Sequence, residues 1–443
     1  GSDGLKVASA YIQSQFISYG IDTMTGIDGY EQSVPFRSFT PPEVGIIILD
    51  TSSLVFPNDF IAINGNATEM TAPIVNIGYG SAEEIAEKDL RFKIAVSYAG
   101  DGVDNNPRNW VDISSAKRAR VAAAGGSALI EIYQSTSIPW RFLRSLGTQS
   151  QTVLDKGNIT GNLLNLWVGT SDSSAIAKLK TDDKLVNIKV DGVSREQFSS
   201  ANVIGFVEGT DPVLKDEFIV YSAHYDHVGV GRADAVGDTI YNGTRDNAVG
   251  TTSVLSLASY FSKHPPKRSS LFVLFTAEEK GLLGSQYFTE NLPVPAEKIV
   301  YNFNIDNGGY NDTTIISVIG LTRTEAEQDI QAACQQLGLE AIEDAAGEQG
   351  LFDRSDNVNF ARLGIPAPTF SLGFRSFDAE IMKYYHQPGD EVETINLNYV
   401  TKYVHAYILS ADRIANRESA PFWREGDKYY DVGVNLYRKS TSN

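Results

Sequence analysis

Two adjacent carboxylates, Glu278 and Glu279, follow the apolar run LFVLF in LFVLFTAEEKGLLGS, with Gly281 close behind. Acids in such a place ordinarily begin a surface helix, whose positive end they favour. The same kind of group, however, recurs at other strand ends. EFIVYSAH ends at His224 with Asp226 two residues on, and KIVYNFNID ends at Asp306. NGTRDNAVGT carries Asp246 just ahead of a helical stretch, and KYYHQPGDE offers His386. The chain has five histidines, and two stand in these positions. One His at a strand end is most often structural, but the accident does not readily repeat along successive strands. Two neighbouring zinc ions, each taking one His and one terminal carboxylate and sharing a carboxylate and a water, need two His and three Asp or Glu. One more carboxylate is needed as a base. His224, Asp246, Glu279, Asp306 and His386 fill the first set, and Glu278 the last.

Those residues need a scaffold that brings strand ends together. After about Gly192 the pattern repeats as strand, loop, helix. NVIGFVEG, EFIVYSAH, SLFVLFTAEE, KIVYNFNID and APTFSLG are strand-like; VGTTSVLSLASYFSKH, EAEQDIQAACQQLG and NYVTKYVHAYILSADRIAN are helical. Such alternation predicts an α/β fold with a doubly wound, mostly parallel sheet and helices on both faces. In these sheets the ligand site lies beyond the carboxyl ends of the strands. The first segment, GLKVASAYIQSQFISYGID, predicts an amphipathic helix stopped at Gly20, and YEQSVPFRSF alternates like a strand.

From about Glu43 the texture changes to short apolar runs separated by glycine, proline and polar turns: EVGIIILD, IVNIGYG, RFKIAVSYAGD, SALIEIY and NLLNLWVG. This predicts a mainly-β insert over 43–192, leaving 1–42 and 193–443 as one discontinuous domain. One helix interrupts it, SSAKRARVAAAGG, read as small and apolar on one face and basic on the other. The last segment, PFWREGDKYYDVGVNLYRKSTSN, reads as a packing strand with a loose end.

With 443 residues, 42% of them hydrophobic, the chain has material for a large core and two or three domains. A net charge of −18 argues against nucleic-acid or anionic-membrane binding through general electrostatics. No apolar run reaches the length of a membrane span. A lone cysteine, Cys334, excludes an internal disulfide and a cysteine-built zinc site, so any metal must be held by His and carboxylate. Its helical surroundings read as a small buried residue. The start at Gly1-Ser2 fits either a cloning remnant or a mature chain freed of a targeting segment, the latter implying a secreted or periplasmic protein.

The motifs HYDH, RDNAVG, TAEEKGLLGS, NIDNGG and YYHQPGDE together resemble the di-zinc aminopeptidase family of bacterial leucyl aminopeptidases, glutamate carboxypeptidase and transferrin-receptor relatives. The resemblance spans the first 40 or so residues and roughly 195–415, and the block between is similar to a protease-associated domain. It implies two zinc ions per chain: His224 and Asp306 on one, Glu279 and His386 on the other, and Asp246 bridging. It implies Glu278 as general base and Tyr385 as a hydroxyl for the oxyanion. Asp226 is implied to accept a hydrogen bond from the second ring nitrogen of His224. Relatives carry a cis peptide after the bridging Asp, so Asp246-Asn247 is expected to be cis. Two positions depart from the family: Asn307 stands where Met or another apolar residue is usual, and Asn357 in SDNVNF replaces a His.

The implied activity is hydrolysis of the N-terminal peptide bond of a peptide, an exopeptidase reaction. A carboxypeptidase or dipeptidase needs basic residues for a substrate carboxylate, for which Arg354 and Arg375 are candidates. A non-catalytic receptor of the same lineage need not keep the six site groups, all present here. His227 is an alternative to His224 as ligand. His264 and His405 read as structural or exposed, and Asp390 as a possible support for the His386 loop. Gly229 and Gly231 of VGVGR lack the strand-to-helix setting of a dinucleotide site. The NGT at Asn242 reads as a chance sequon.

Overall fold

A computed structural model describes residues 2–438, except 105, 136 and 158–161. The chain forms two compact units, residues 1–34 with 199–443, and residues 35–198. These boundaries differ from those expected at 42/43 and 192/193. The turn-rich texture begins at Pro41-Pro42 and ends at Gly192, whereas the chain crosses between units within the strands Glu31–Thr40 and Ser194–Val207.

The larger unit is α/β. Its sheet runs in the order Glu340–Glu343, Ile315–Ile319, Thr369–Leu372, Ile299–Ile305, Phe218–His224, Ser269–Phe275 and Ser194–Val207. The four strands from Thr369–Leu372 to Ser269–Phe275 are mutually parallel. Ile315–Ile319 and Ser194–Val207 run antiparallel to their neighbours on either side of that block. Ser269–Phe275 and Ile299–Ile305 are buried at every residue, as expected where helices cover both faces. Alternate residues serve opposite cores: Phe272 and Leu274 pack with helix Val249–Phe261, whereas Leu271, Val273 and Phe275 pack with Phe288, Phe360 and Trp423.

Helix Leu397–Ala415 is capped by the Asn396 side chain, which accepts from the Tyr399 amide. It buries Tyr399, Tyr403 and Tyr407 at helical spacing. Their hydroxyls donate to the carbonyls of Ile315, Phe370 and Phe303, respectively, so each polar tip is satisfied inside the core. Two strands escaped the sequence reading, Ile315–Ile319 and, at the edge of the sheet, Glu340–Glu343. The C-terminal segment contains a helix, Tyr430–Arg438, and not a strand: Tyr430, packed on the core that contains Trp423, buried Gly433, and Tyr437, whose hydroxyl donates to the Ile299 carbonyl, recur at helical spacing.

The smaller unit has an eight-stranded mixed sheet whose strands Thr68–Asn76, Ile94–Tyr98, Ala128–Ile132 and Leu164–Val168 are parallel. Its helix Trp110–Ala123 does not turn its basic residues to solvent as expected. Lys117 is fully buried and paired with Glu131 at 2.7 Å, and also donates to the carbonyls of Tyr98 and Gly100. Glu131 in turn accepts from Ser114, Asn165 and Trp167. The counter-charge lies on the next strand, so binary patterning of the helix alone misassigns its face. No helix among the described residues is long and apolar enough to cross a membrane.

Candidate metal centre

Five segments meet at the carboxyl ends of the parallel strands. His224 is the last residue of Phe218–His224, Asp306 follows Ile299–Ile305 directly, and Glu278 and Glu279 lie just beyond Ser269–Phe275. Asp246 lies ahead of helix Val249–Phe261, and Asp246-Asn247 is cis. His386 comes from the loop after helix Ala379–Met382. Three non-glycine residues here have left-handed backbone: Ala277 at φ 56°, Leu282 at 62° and His386 at 52°. Each such residue costs on the order of 1 kcal/mol, and such conformations cluster at functional sites. Gly284 lets the following helix close on the loop, since a Cβ there would lie 2.0 Å from the Thr276 carbonyl oxygen.

The two oxygens of Asp246 face different partners. Oδ1 lies 3.2 Å from His224 Nε2, which is 3.3 Å from Asp306 Oδ1. Oδ2 lies 3.2 Å from His386 Nε2, which is 3.3 Å from Glu279 Oε1. His224 Nδ1 is 2.9 Å from the carbonyl oxygen of Asp226. A carbonyl only accepts, so Nδ1 carries the proton and Nε2 is left to ligate. The carboxylate of Asp226 therefore does not play the part expected of it. It stands 4.0 Å from His224 Nδ1 and instead accepts the backbone N–H groups of Glu278 and Glu279 at 3.0 and 3.3 Å. It fixes the loop that carries both acids.

Electrostatics separate the adjacent glutamates. Burial pushes Glu278 well above the usual carboxylate range; His224 opposes this and Asp306, Asp356 and Asp226 add to it. Burial also acts to raise Glu279, but the imidazoles of His227 and His386 hold it at about 2. Burial and the nearby carboxylates likewise push the Tyr385 hydroxyl up, keeping it protonated. The Tyr385 ring stacks on His386 at 4.1 Å and meets Phe377 edge-on.

A cleft of about 430 Å³ opens onto these groups, lined by Asp246, Glu278, Glu279, Asp306, Tyr385 and His386. Its apolar wall includes Ile319, Leu351, Phe374 and Phe377. Arg354 also lines it, whereas Arg375 is paired with Asp312 at 2.8 Å and is not among the lining residues. His264 and His405 are exposed and away from the site. Gly229 belongs to a two-residue hairpin strand.

Both departures from the family pattern have local partners. Asn307 donates to Asn247 Oδ1 at 3.0 Å and accepts from the Leu372 amide and the Tyr403 hydroxyl. The neighbouring Asn247 donates to the Ile305 carbonyl. Asn307 thus braces the loop holding Asp246 against the sheet. Asn357 donates to the Ala367 carbonyl and is fully buried.

Sequence reasoning passed over Arg245, whose guanidinium pairs with Asp390 and lies over the Tyr384 ring at 3.8 Å. The charge of RDN, matched by an acid in HQPGDE, was the available signal. It also placed His227 in competition with His224. In the structure His227 Nδ1 is instead 2.9 Å from Glu279 Oε1. Two potential cation sites result among the described residues, His224 with Asp246 and Asp306, and His227 with Asp246 and Glu279. Imidazole and carboxylate donors packed at separations of about 3 Å suit a borderline divalent ion such as Zn²⁺.

Residues 202–410 match the model of peptidase family M28. Aminopeptidase YwaD of Bacillus subtilis is 24% identical over 336 residues, which cover 74% of this chain and 63% of that protein. A vacuolar membrane protease of Lachancea thermotolerans is 25% identical over 240 residues, 53% of this chain and 23% of that protein. The chain thus spans less than two thirds of the length of these curated relatives. An aminopeptidase from Aneurinibacillus sp. strain AM-1 shares the fold, with a TM-score of 0.54 at 22% identity over 96% of this chain and 92% of that one. The matched span contains all eight residues expected at the site.

Proposed function

We propose that the protein is a zinc-dependent aminopeptidase in which two zinc ions share Asp246. The observation that carries this reading is the division of Asp246, with one oxygen turned to His224 and the other to His386. His224 and Asp306 would hold one ion, and Glu279 and His386 the other. Bound there, zinc supplies Lewis acidity and makes a water acidic enough to ionise near neutral pH.

The side chains around it have separate tasks. Glu278, as its carboxylate, accepts the proton of the attacking water and returns it to the leaving amine; burial raises its affinity for that proton. Tyr385 donates its hydroxyl proton in a hydrogen bond to the carbonyl oxygen as negative charge develops there. Asp226 keeps Glu278 and Glu279 in place through their amides. Phe374, Phe377, Ile319 and Leu351 favour an apolar side chain on the substrate. The YwaD and Aneurinibacillus likenesses support an N-terminal specificity.

The test is amino-acid release from aminoacyl anilides by the purified protein, with zinc added or chelated. Activity should require a free N-terminus and vanish with chelator, and metal analysis should give two zinc ions per chain. Hydrolysis unaffected by chelation would sink the proposal.

A second reading has one observation in its favour. Arg354 lines the cleft and makes no ion pair or side-chain hydrogen bond among the described residues, so it is free to receive a substrate carboxylate. That would suit a carboxypeptidase or a dipeptidase.

A further inference from the structure

We infer that His227 is an additional protein ligand, through Nδ1, of the ion held by Glu279 and His386, an inference that rests on the metal reading above. Tetrahedral bonds of 2.0–2.1 Å to nitrogen and oxygen put neighbouring donor atoms about 3.3 Å apart. His227 Nδ1 lies 2.9 Å from Glu279 Oε1 and 4.0 Å from Asp246 Oδ2, which brackets that separation. His386 Nε2 meets the same two oxygens at 3.3 and 3.2 Å. Both imidazoles therefore approach the same two carboxylate oxygens.

The polar accounting agrees. The His227 side chain is only 8% exposed, yet neither of its ring nitrogens makes a hydrogen bond. Glu279 Oε1 is also without a hydrogen bond, although two imidazole nitrogens lie within 3.3 Å of it. The nitrogens approach the oxygen without aiming an N–H at it. Leaving a buried polar group unsatisfied costs about 1–3 kcal/mol, and a cation between His227 Nδ1 and Glu279 Oε1 would satisfy both of these atoms together.

The fold also holds the ring in this position. Gly243, at φ 64°, packs so closely that a Cβ there would lie 2.6 Å from His227 Cγ. On the other side the His227 and His386 rings meet edge-on at 5.5 Å. His386 is 37% exposed and lines the cleft; His227 does not line it, and instead borders a separate cavity of about 220 Å³ beside Asn242 and Asn247. His227 thus reaches the ion from within the fold, without taking substrate space.

The two metal positions become unequal. One has a single imidazole, His224, and the other has two, which strengthens its preference for nitrogen-seeking ions such as Zn²⁺ and Co²⁺ and makes it the first to fill. Titration of the metal-free full chain with Co²⁺, followed by calorimetry and visible absorption, tests this. In wild type the first equivalent should bind more tightly than the second. His227→Ala should weaken the first by at least about 100-fold and alter its ligand-field bands, more than the 10–100-fold typical of an outer-sphere partner. His227→Asn, which keeps a polar group but not the reach, should behave alike, with circular dichroism of both metal-free variants matching wild type. Affinities within about 3-fold of wild type and unchanged bands in a folded variant would overturn the assignment. Should wild type bind one ion only, the two-metal reading falls, while the comparison on that ion still decides the role of His227.

Discussion

Asp390 grips Arg245 twice, accepting from its guanidinium at 2.7 Å and from its backbone amide at 2.8 Å, with both side chains almost wholly buried. The residues lie 145 apart in sequence, and each stands close to a proposed ligand, Asp246 or His386. Thr394 takes two further donors of the guanidinium. The pair therefore sets the separation of the two loops, which nothing local to either loop does.

Removing Asp390 leaves a buried guanidinium uncompensated. Asp390→Ala should cost about 3–5 kcal/mol of stability, measured by urea unfolding of the metal-free protein. It should also weaken metal binding, because His386 loses its tether. Stability within 1 kcal/mol of wild type, roughly a surface-mutation effect, would show that the clamp is dispensable.

Glu278→Gln separates the adjacent acids. The variant should retain its metal content and substrate KM while kcat falls about 10²–10⁴-fold, the usual contribution of a positioned base. Loss of metal in this variant would instead move Glu278 into the ligand set.

Arg354 decides between the two exopeptidase readings. If it receives a substrate carboxylate, Arg354→Ala should raise KM about 10–100-fold for peptides with a free carboxylate beside the cleaved bond and leave their amides unaffected, as for a lost charged hydrogen bond. Equal KM values for acid and amide, before and after substitution, would leave the aminopeptidase reading alone.

Cys334 should be inert in the folded protein. It is fully buried, and burial pushes its thiol from 9.0 up to about 12. Thiol reagents need the thiolate, so labelling at pH 8 should appear only with denaturant. The folded state binds this proton more tightly than the unfolded one, so the contribution to stability is intact below pH 9.0 and declines as the pH rises towards about 12. Rapid labelling of the native protein would contradict the packing of helix Glu327–Gln336.

The strands and helices that build the site were legible because their signals are local. The buried runs LFVLF and IVYNFNI can lie only in a covered sheet, and the tyrosines of Leu397–Ala415 recur at helical spacing. Short edge strands such as Glu340–Glu343 carry too few residues for such a signal, and Tyr430–Arg438 was obscured by its aromatic content.

The sequence by itself determined which groups stand at strand ends, and therefore that carboxylates and imidazoles would gather at one edge of the sheet. Tertiary structure alone decided how they are shared. HYDH contains two imidazoles three residues apart; only the turn after Phe218–His224 sends the first to Asp306 and the second to Glu279. The carboxylate of Asp226 likewise found two backbone amides more than 50 residues away instead of the neighbouring ring. Residue type and period are written along the chain, but ångström separations between distant loops are fixed by strand register and by buried pairs such as Arg245 and Asp390.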